Sequence, residues 1–466
     1  MSDARAVAAA LEELRAALGA ERVVADAERL EPYGRDEAGL GAHPPDLLVL
    51  ARSAEEVKTV FAAASRHRVP VVPIGARSGK SGGSIALAGG IALSLERMDR
   101  ILEIRAEDLT ARVEPGVITG VFQEEVERQG LFYPPDPNSS DTCTLGGNVA
   151  ENAGGPRALK YGVTREYVLG LEVVLPTGEI LRTGRRTIKG VAGYDLTALI
   201  VGSEGTLGVV TEITLELLPR PRHVATALVV FRSVEDAARA VSRVLAAGVV
   251  PRCLELLDDV ALQACARTAP FKFPTDAGAA VLVETDGNEE EAVLAEIVRV
   301  AEAVQAEAFG EVIVAQNEAQ RRDIWETRKK LSVNLRALHP LKLSEDIVVP
   351  RSRIADMVRK TREIGARYGL LVATYGHAGD GNLHANVLFD REEQRSRVEA
   401  AVGEVLRAAV DMGGTITGEH GVGLAKREYL EYEQGPQLIA LQRRLKAVFD
   451  PLGILNPGKI FPPPKE

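Results

Sequence analysis

Between Leu47 and Leu218 short β-branched runs alternate with glycine-rich connectors: DLLVLA, a helical stretch over Ala54–His67, then VPVVPIG, IALSL, TARVEPG, GLEVVLPTG and GVVTEITLELLP. Such mixing of period-two and helical periods predicts an α+β domain of roughly 200 residues. The texture breaks at Pro219–Pro221. Beyond it the strand-like runs ATALVVF, AAVLVET, EDIVVP, LLVATY and LHANVLF are interleaved with helical stretches over Val234–Ala247, Glu289–Ala306 and Ser352–Tyr368, and with a charged helix around Trp325. That order is the pattern of a split βαβ layer and predicts a second domain. From about Gly413 to Phe461 glycine and proline return, ending in DPLGILNPGKIF. The expected division is therefore 1–218, 219–412 and a C-terminal segment 413–466.

The length of 466 residues is ample for two or three domains. With 26% charged and 45% hydrophobic residues the composition is that of a globular chain. A formal charge of −10 argues against a nucleic-acid surface, which needs a basic footprint. No apolar run approaches the roughly 18 residues that span a bilayer. The opening MSDARAVAAALEELRAAL reads as an amphipathic helix rather than a secretory signal, so a cytoplasmic address is expected, with peripheral membrane association left open. Cys143, Cys253 and Cys265 are odd in number and imply no disulfide framework. Three thiolates also fall short of the four that an iron–sulfur cluster normally takes. Any redox carrier is expected to be something else.

Three glycine-rich segments stand out. PIGARSGKSGGS (73–84) follows a strand and lets backbone N–H groups converge on an anion. Although Gly79–Ser81 spell GKS, Gly75 is one residue too close for a GxxxxGK[ST] loop, and no complete GxGxxG occurs, so nucleotide triphosphate and nicotinamide sites are both disfavoured. PPDPNSSDTCTLGGNVAENAGGP (134–156) is longer than ordinary loops and made of small residues. KGVAGYDLTALIVGSEGTLGVVTEITL (189–215) is the third. Together they suit an extended dinucleotide better than one phosphate.

PPDPNSSDTCTLGGNVAENAGG and GSEGTLGVVTE, in this order after the first loop, resemble the flavin domain of the vanillyl-alcohol oxidase and p-cresol methylhydroxylase superfamily. Within it the chain is similar, over nearly its whole length, to the group of FAD-linked glycolate oxidase catalytic subunits, D-lactate dehydrogenases and D-2-hydroxyglutarate dehydrogenases. The resemblance implies an α+β fold: a two-part flavin-binding domain of the p-cresol methylhydroxylase type, a ferredoxin-like α+β cap, and a tail that returns to the flavin domain. It implies FAD held by Ile74, Gly75, Ala76, Arg77, Ser78, Gly79, Lys80 and Ser81 at the pyrophosphate. Pro137, Thr142, Gly146, Gly147, Asn148, Gly154, Val210 and Asn456 would line the rest. Some relatives attach FAD through a histidine in the first loop; with Lys80 and Ser81 here, a non-covalent flavin is expected.

Three of the seven histidines, His377, His384 and His420, lie in glycine-rich polar contexts. In YGHAGDGNLHANVLF, His377 and His384 flank a turn between strand-like runs, so a hairpin would bring the imidazoles together. His384 and Asn386, two apart, share a strand face. Two histidines and a carboxylate are a common divalent-metal set. The carboxylate candidate is Glu419 in GGTITGEHGVG, beside His420, where the glycines allow an irregular backbone. Each histidine alone reads as an ordinary hydrogen-bonded residue; the set reads as a site. By resemblance, His377, His384 and Glu419 would ligate zinc, manganese or iron, and Asn386 and His420 would meet the substrate.

The implied reaction is oxidation of a D-2-hydroxy acid of the glycolate or D-lactate class by hydride transfer to flavin. A metal would stabilise the alkoxide and His420 would act as base. In WETRKKL, Arg328 is the residue the resemblance places on the substrate carboxylate, as a bidentate fork, with Lys342 as a second candidate. At helical spacing Arg328 shares a face with Ser332. Partner subunits carrying flavin and iron–sulfur centres, or a cytochrome or quinone, would take the electrons. Two other readings share the architecture: a flavin transferase of the alkyl-dihydroxyacetone-phosphate synthase kind, and a non-catalytic subunit that retains FAD.

Overall fold

The computed structural model describes residues 3–310 and 312–463. Two compact units emerge. One comprises Met1–Gly154, Val163–Arg220 and Glu419–Glu466, the other Gly155–Gly162 and Pro221–Gly418.

The first unit has two sheets. Strands β1 (Val23–Val24), β2 (Leu47–Leu50), β3 (Val71–Ile74) and β4 (Ile91–Ser94) lie in the order β1-β2-β4-β3, with β2, β4 and β3 parallel. Parallel strands are covered on both faces, which is why LLVL, VVPI and IALS are nearly unbroken apolar runs rather than alternating ones. The crossover helix Ala54–His67 starts where the Ser53 side chain accepts the Glu56 N–H. It packs on the helix Ala4–Leu18, which buries Ala10, Leu14 and Leu18 at four-residue spacing. Strands β5 (Ile101–Arg105), β6 (Thr110–Val113), β8 (Val168–Val174), β9 (Ile180–Gly184) and β10 (Val209–Glu216) form an antiparallel sheet in the order β5-β6-β10-β8-β9. Short strands β7 (Leu131–Phe132) and β11 (Leu218–Pro219) pair beside it. Each sheet has its own core, one around Phe61 and Leu93, the other around Phe122, Tyr133 and Ile213. The tail docks on the first sheet, where the Asn456 N–H donates to the Val71 carbonyl at 2.7 Å and the Val71 N–H to Ile454 at 2.8 Å.

The second unit is one seven-stranded antiparallel sheet. Its strands are β12 (His223–Phe231), β13 (Cys253–Asp258), β14 (Ala279–Gly287), β15 (Ile313–Val314), β16 (Leu341–Val348), β17 (Leu371–His377) and β18 (Asn382–Phe389), in the order β15-β12-β14-β13-β17-β18-β16. The order resolves into two split βαβ halves. β12, β13, β14 and β15 with helices Val234–Ala246 and Glu290–Val304 form a ferredoxin-like unit, and β16, β17 and β18 with helices Ile354–Arg367 and Arg395–Asp411 repeat its first three strands. The halves meet where β13 pairs with β17, with Glu255 opposite His377 and Leu257 opposite Tyr375. These two units carry the α+β architecture that the sequence implied. Among the described residues no helix is long and apolar enough to cross a membrane.

The turn between β17 and β18 closes at Gly381, whose φ is +87° and where an added Cβ would lie 2.1 Å from the Val349 carbonyl oxygen. A Gly381→Ala substitution would add both left-handed strain and a backbone clash. We expect it to lower stability by about 2–4 kcal/mol, read as a shift in the urea unfolding midpoint.

Candidate active site

Because side chains alternate across a strand, β13, β17, β18 and β16 send a single set of residues to one face of the sheet. Its apolar members Leu257, Ala373, Tyr375 and Leu388 pack under Ile324, Leu331 and Leu335. Its polar members Glu255, His377, His384, Asn386 and Lys342 stand among them, with His384 opposite Tyr375, Asn386 opposite Ala373 and Lys342 opposite Leu388. The hairpin does bring the two imidazoles together. The rings of His377 and His384 are 5.3 Å apart and nearly perpendicular, and the Tyr375 ring is 5.6 Å from that of His384. Both histidines are buried.

Glu255 has no exposed surface, and its carboxylate bridges two partners. Oε1 pairs with His377 Nδ1 at 2.5 Å, while Oε2 accepts from Arg328 Nε at 3.0 Å and lies 2.8 Å from its Nη2 as an ion pair. Burial opposes its charge, but His377 and Arg328 outweigh it and hold the carboxyl down at about 2. The same guanidinium lies 4.7 Å above the Tyr375 ring centre. This corrects the expectation for Arg328. The fork read as free for a substrate carboxylate is engaged along its Nε/Nη2 edge by Glu255, leaving Nη1. Nor do Arg328 and Ser332 share one helix, since the chain changes from helix Glu318–Lys329 to helix Leu331–Arg336 between them.

Lys342 on β16 donates to Ser332 Oγ at 2.7 Å and to Asn386 Oδ1 at 3.3 Å. The Asn386 amide in turn donates to the His384 carbonyl at 2.9 Å. Asn386 is wholly buried and sets the position of Lys342. Further along β16, Asp346 accepts from Asn382 Nδ2 at 2.6 Å, Thr417 Oγ1 at 2.9 Å and the Gly418 N–H at 2.8 Å. The chain leading into Glu419 is thereby fixed one residue short of it.

In the first unit the glycine-rich segments are laced together by side chains far apart in sequence. Glu204 of GSEGT accepts the Val422 and Gly423 N–H groups at 2.8 and 2.6 Å, and the Ser81 carbonyl accepts those of Leu424 and Ala425 at 2.7 and 3.0 Å. Asn456 donates to the carbonyls of Gly83 and Glu204 at 3.1 and 2.9 Å. Lys459, almost wholly buried, donates to Gly83, Ile85 and Asn456 Oδ1. Burial pulls its ammonium down to about 8 against the pull of Asp36, Glu204 and Glu151. Burial also raises the carboxyls of Glu151, beside Glu204, and of Glu204 itself.

The expected flavin residues all lie in the first unit. Ile74 ends β3, and Gly75–Ser81 form the loop after it. Arg77 has φ 60° and stacks 4.3 Å over the Tyr33 ring. Gly146, Gly147 and Asn148 open the helix Leu145–Glu151, capped by Thr144. An added Cβ at Gly146 would come 2.5 Å from Pro115, so only glycine fits. Asn148 is buried and donates to Thr119 Oγ1 at 2.8 Å, and Val210 sits in the core on β10. Pro137 and Thr142 lie in tight turns with Ser140 and Ser139. A cavity of about 460 Å³ is lined by Gly75, Ala76, Arg77, Gly116, Val117 and Thr144 among others. Ser81 Oγ and Glu151 Oε2 are buried with no hydrogen-bond partner, which leaves polar atoms in this frame for a ligand to satisfy. A small-residue cradle with unsatisfied polar atoms fits FAD. Also in the first unit, an added Cβ at Gly154 would lie 2.9 Å from Glu419 Oε2, and Glu419 Oε1 is 3.9 Å from His420 Nε2.

Glu255, Glu204 and Lys459 were not singled out from the sequence. The first signals itself only as a charge inside the apolar run CLELL, and the second as the one acid within GSEGT.

Two family models and several relatives match most of this chain. Residues 220–460 match the family model described as FAD linked oxidases, C-terminal domain, and residues 45–184 match an FAD binding domain. The glycolate oxidase subunit GlcD of Bacillus subtilis is 45% identical over 419 residues, covering 90% of this chain and 89% of its own. A D-lactate dehydrogenase of Anaerostipes hadrus is 39% identical, with 94% of each chain covered. The D-2-hydroxyglutarate dehydrogenase of Stutzerimonas stutzeri is 34% identical over 97% of this chain and 99% of its own. The crystal structure of p-cresol methylhydroxylase superimposes with a TM-score of 0.81 at 19% identity, covering 98% of this chain and 97% of that one.

Replacing Glu204 with Ala removes the acceptor of two buried amides. We expect a stability loss of about 3 kcal/mol, faster hydrogen exchange over residues 420–425, and FAD binding weakened by about tenfold or more. Exchange mass spectrometry and flavin titration check it.

Proposed function

The chain belongs to the FAD-linked oxidases, and we propose that it oxidises a small D-2-hydroxy acid to the 2-oxo acid with bound FAD as the hydride acceptor. Family membership makes it a flavin-dependent 2-hydroxy acid oxidase or dehydrogenase. The observation that most supports the finer reading is one face of the second-unit sheet, which carries the paired imidazoles of His377 and His384, the Glu255–Arg328 pair and Lys342.

FAD, when bound, takes the C2 hydride, and a divalent cation, when bound, stabilises negative charge on the C2 oxygen. In this reading His377, His384 and Glu419 each offer one donor atom to zinc, manganese or iron. His377 has Nδ1 engaged by Glu255 and so presents Nε2. Lys342, steadied by Ser332 and Asn386, and the free Nη1 of Arg328 take the substrate carboxylate. His420 accepts the hydroxyl proton at an imidazole nitrogen. It is carried by a loop whose next residues are clamped by Glu204 and the Ser81 carbonyl, so the base and the cofactor loop move as one piece. The reading places the enzyme in the cytoplasm. It hands electrons to partner subunits, as the name of the glycolate oxidase relative suggests, because the chain's three cysteines fall short of a cluster of its own.

Anaerobic stopped-flow mixing with D- and L-2-hydroxy acids tests this. The yellow protein should bleach with the D series; a protein that takes up FAD but is reduced by none of them overturns the proposal. His420→Ala should retain FAD and slow flavin reduction by about 10²–10⁴-fold. Dialysis against a chelator should slow the same step, and added zinc or manganese should restore it. A reduction rate indifferent to chelation would remove the metal from the mechanism.

A further inference from the structure

Glu255 performs none of the chemical steps above, yet its position is costly to occupy. It is a carboxylate with no solvent exposure, set in a strand beside Leu254 and Leu256, and a buried unpaired charge there would cost several kcal/mol. Its two oxygens are divided between functions. Oε1 meets the ring nitrogen of His377 that points away from His377's proposed ligand atom, and Oε2 meets the Arg328 edge that points away from Nη1. A carboxylate on Nδ1–H fixes the tautomer with the lone pair on Nε2 and holds the ring's direction. The same carboxylate, engaged at both Nε and Nη2, removes the rotational freedom of the guanidinium, which rests on Tyr375.

We propose that Glu255 is a positioning residue that couples the metal-ligating histidine to the carboxylate-binding arginine. The proposal rests on the metal and substrate roles read above for His377 and Arg328. It carries a consequence that neither role alone would have: Arg328, which offers no donor to a cation, influences metal affinity, because without it Glu255 loses the partner that fixes its second oxygen.

The test is a zinc titration of the FAD-loaded protein against a competing chromogenic chelator, alongside KM and kcat for the best D-2-hydroxy acid. The chains compared are the parent, His384→Ala, Glu255→Gln, Glu255→Asp and Arg328→Met. His384→Ala should abolish tight zinc binding; if it does not, the metal reading itself fails, whatever Glu255 does. With that control in place, Glu255→Gln should weaken zinc by about 10–100-fold and raise KM more than it lowers kcat. Glu255→Asp should recover part of the affinity, and Arg328→Met should weaken zinc several-fold. Zinc affinity and KM within twofold of the parent in Glu255→Gln overturn the coupling while leaving the site intact. Should Glu255→Gln fail to fold with Arg328 left unpaired, the double variant Glu255→Gln/Arg328→Met removes both charges. Compared with Arg328→Met alone, a further tenfold loss of zinc affinity supports the proposal, and no further loss overturns it.

Discussion

Antiparallel pairing of β13 with β17 is the constraint on which the second unit turns. There two split βαβ halves fuse into one sheet, and the register sets Glu255 opposite His377. Strand side chains repeat every two residues, so a slip of one position would send His377 to the opposite face of the sheet and Gly376 to the face that carries Glu255. The register is protected from both sides. The same face carries Leu257, Ala373 and Tyr375 in the apolar core, so slippage would expose them as it displaced the histidine. On the next strand pair, His384 stands opposite both Tyr375 and Asp346 and is held by the same logic. A hydrophobic core thus fixes the angle of the polar groups at its margin.

The first unit solves a different problem, that of holding several glycine-rich segments still. Glycine density leaves main-chain N–H groups accessible but supplies no side chains to lock the loops. Locking comes from a few buried polar residues that each tie two segments. Glu204 ties the GSEGT turn to residues 422–423, Asn456 ties the tail to Gly83 and Glu204, and Lys459 crosses the same gap. A lone carboxylate and a lone ammonium would each resist burial there. Packed together with backbone partners they offset part of that cost, and burial still pulls the ammonium down to about 8. The result is a rigid frame built from residues with little intrinsic stiffness.

How much of this could be read from the chain follows the distance over which each interaction acts. The parallel strands, the crossover helix and the hairpin at 371–389 are local, and their apolar runs and turn residues announced them. The convergence of His377 and His384 needed only the hairpin. The glycine segments stood out by their density, and two of the three fall within the FAD binding domain that residues 45–184 match. Glu255 was not, because its partners lie 73 and 122 residues away and nothing near it in sequence calls for a charge. Glu204 pairs with amides 218 and 219 residues distant, and a glutamate between two glycines looks like any turn residue. For Arg328 the helix and its basic composition were visible, but the carboxylate that takes one edge of its fork was not.

That last point bears on how a carboxylate would be gripped. A guanidinium free on both edges would bind it bidentately and fix its plane. With Nε and Nη2 turned to Glu255, Arg328 offers one N–H-bearing corner, and the remaining directional hold falls to Lys342, whose ammonium is a compact charge with three rotatable donors. Two of those donors are already aimed at Ser332 and Asn386. Two single contacts from different elements define a line rather than a plane, so the carboxylate could still turn about that line. The further restraint must come from the other end of the molecule. A 2-hydroxy group held at the proposed cation would supply it, and only ligands carrying both groups at that separation would be fixed on all sides. On the proposed roles, an arginine that is half engaged would by itself leave a simple carboxylate less firmly held than a 2-hydroxy acid.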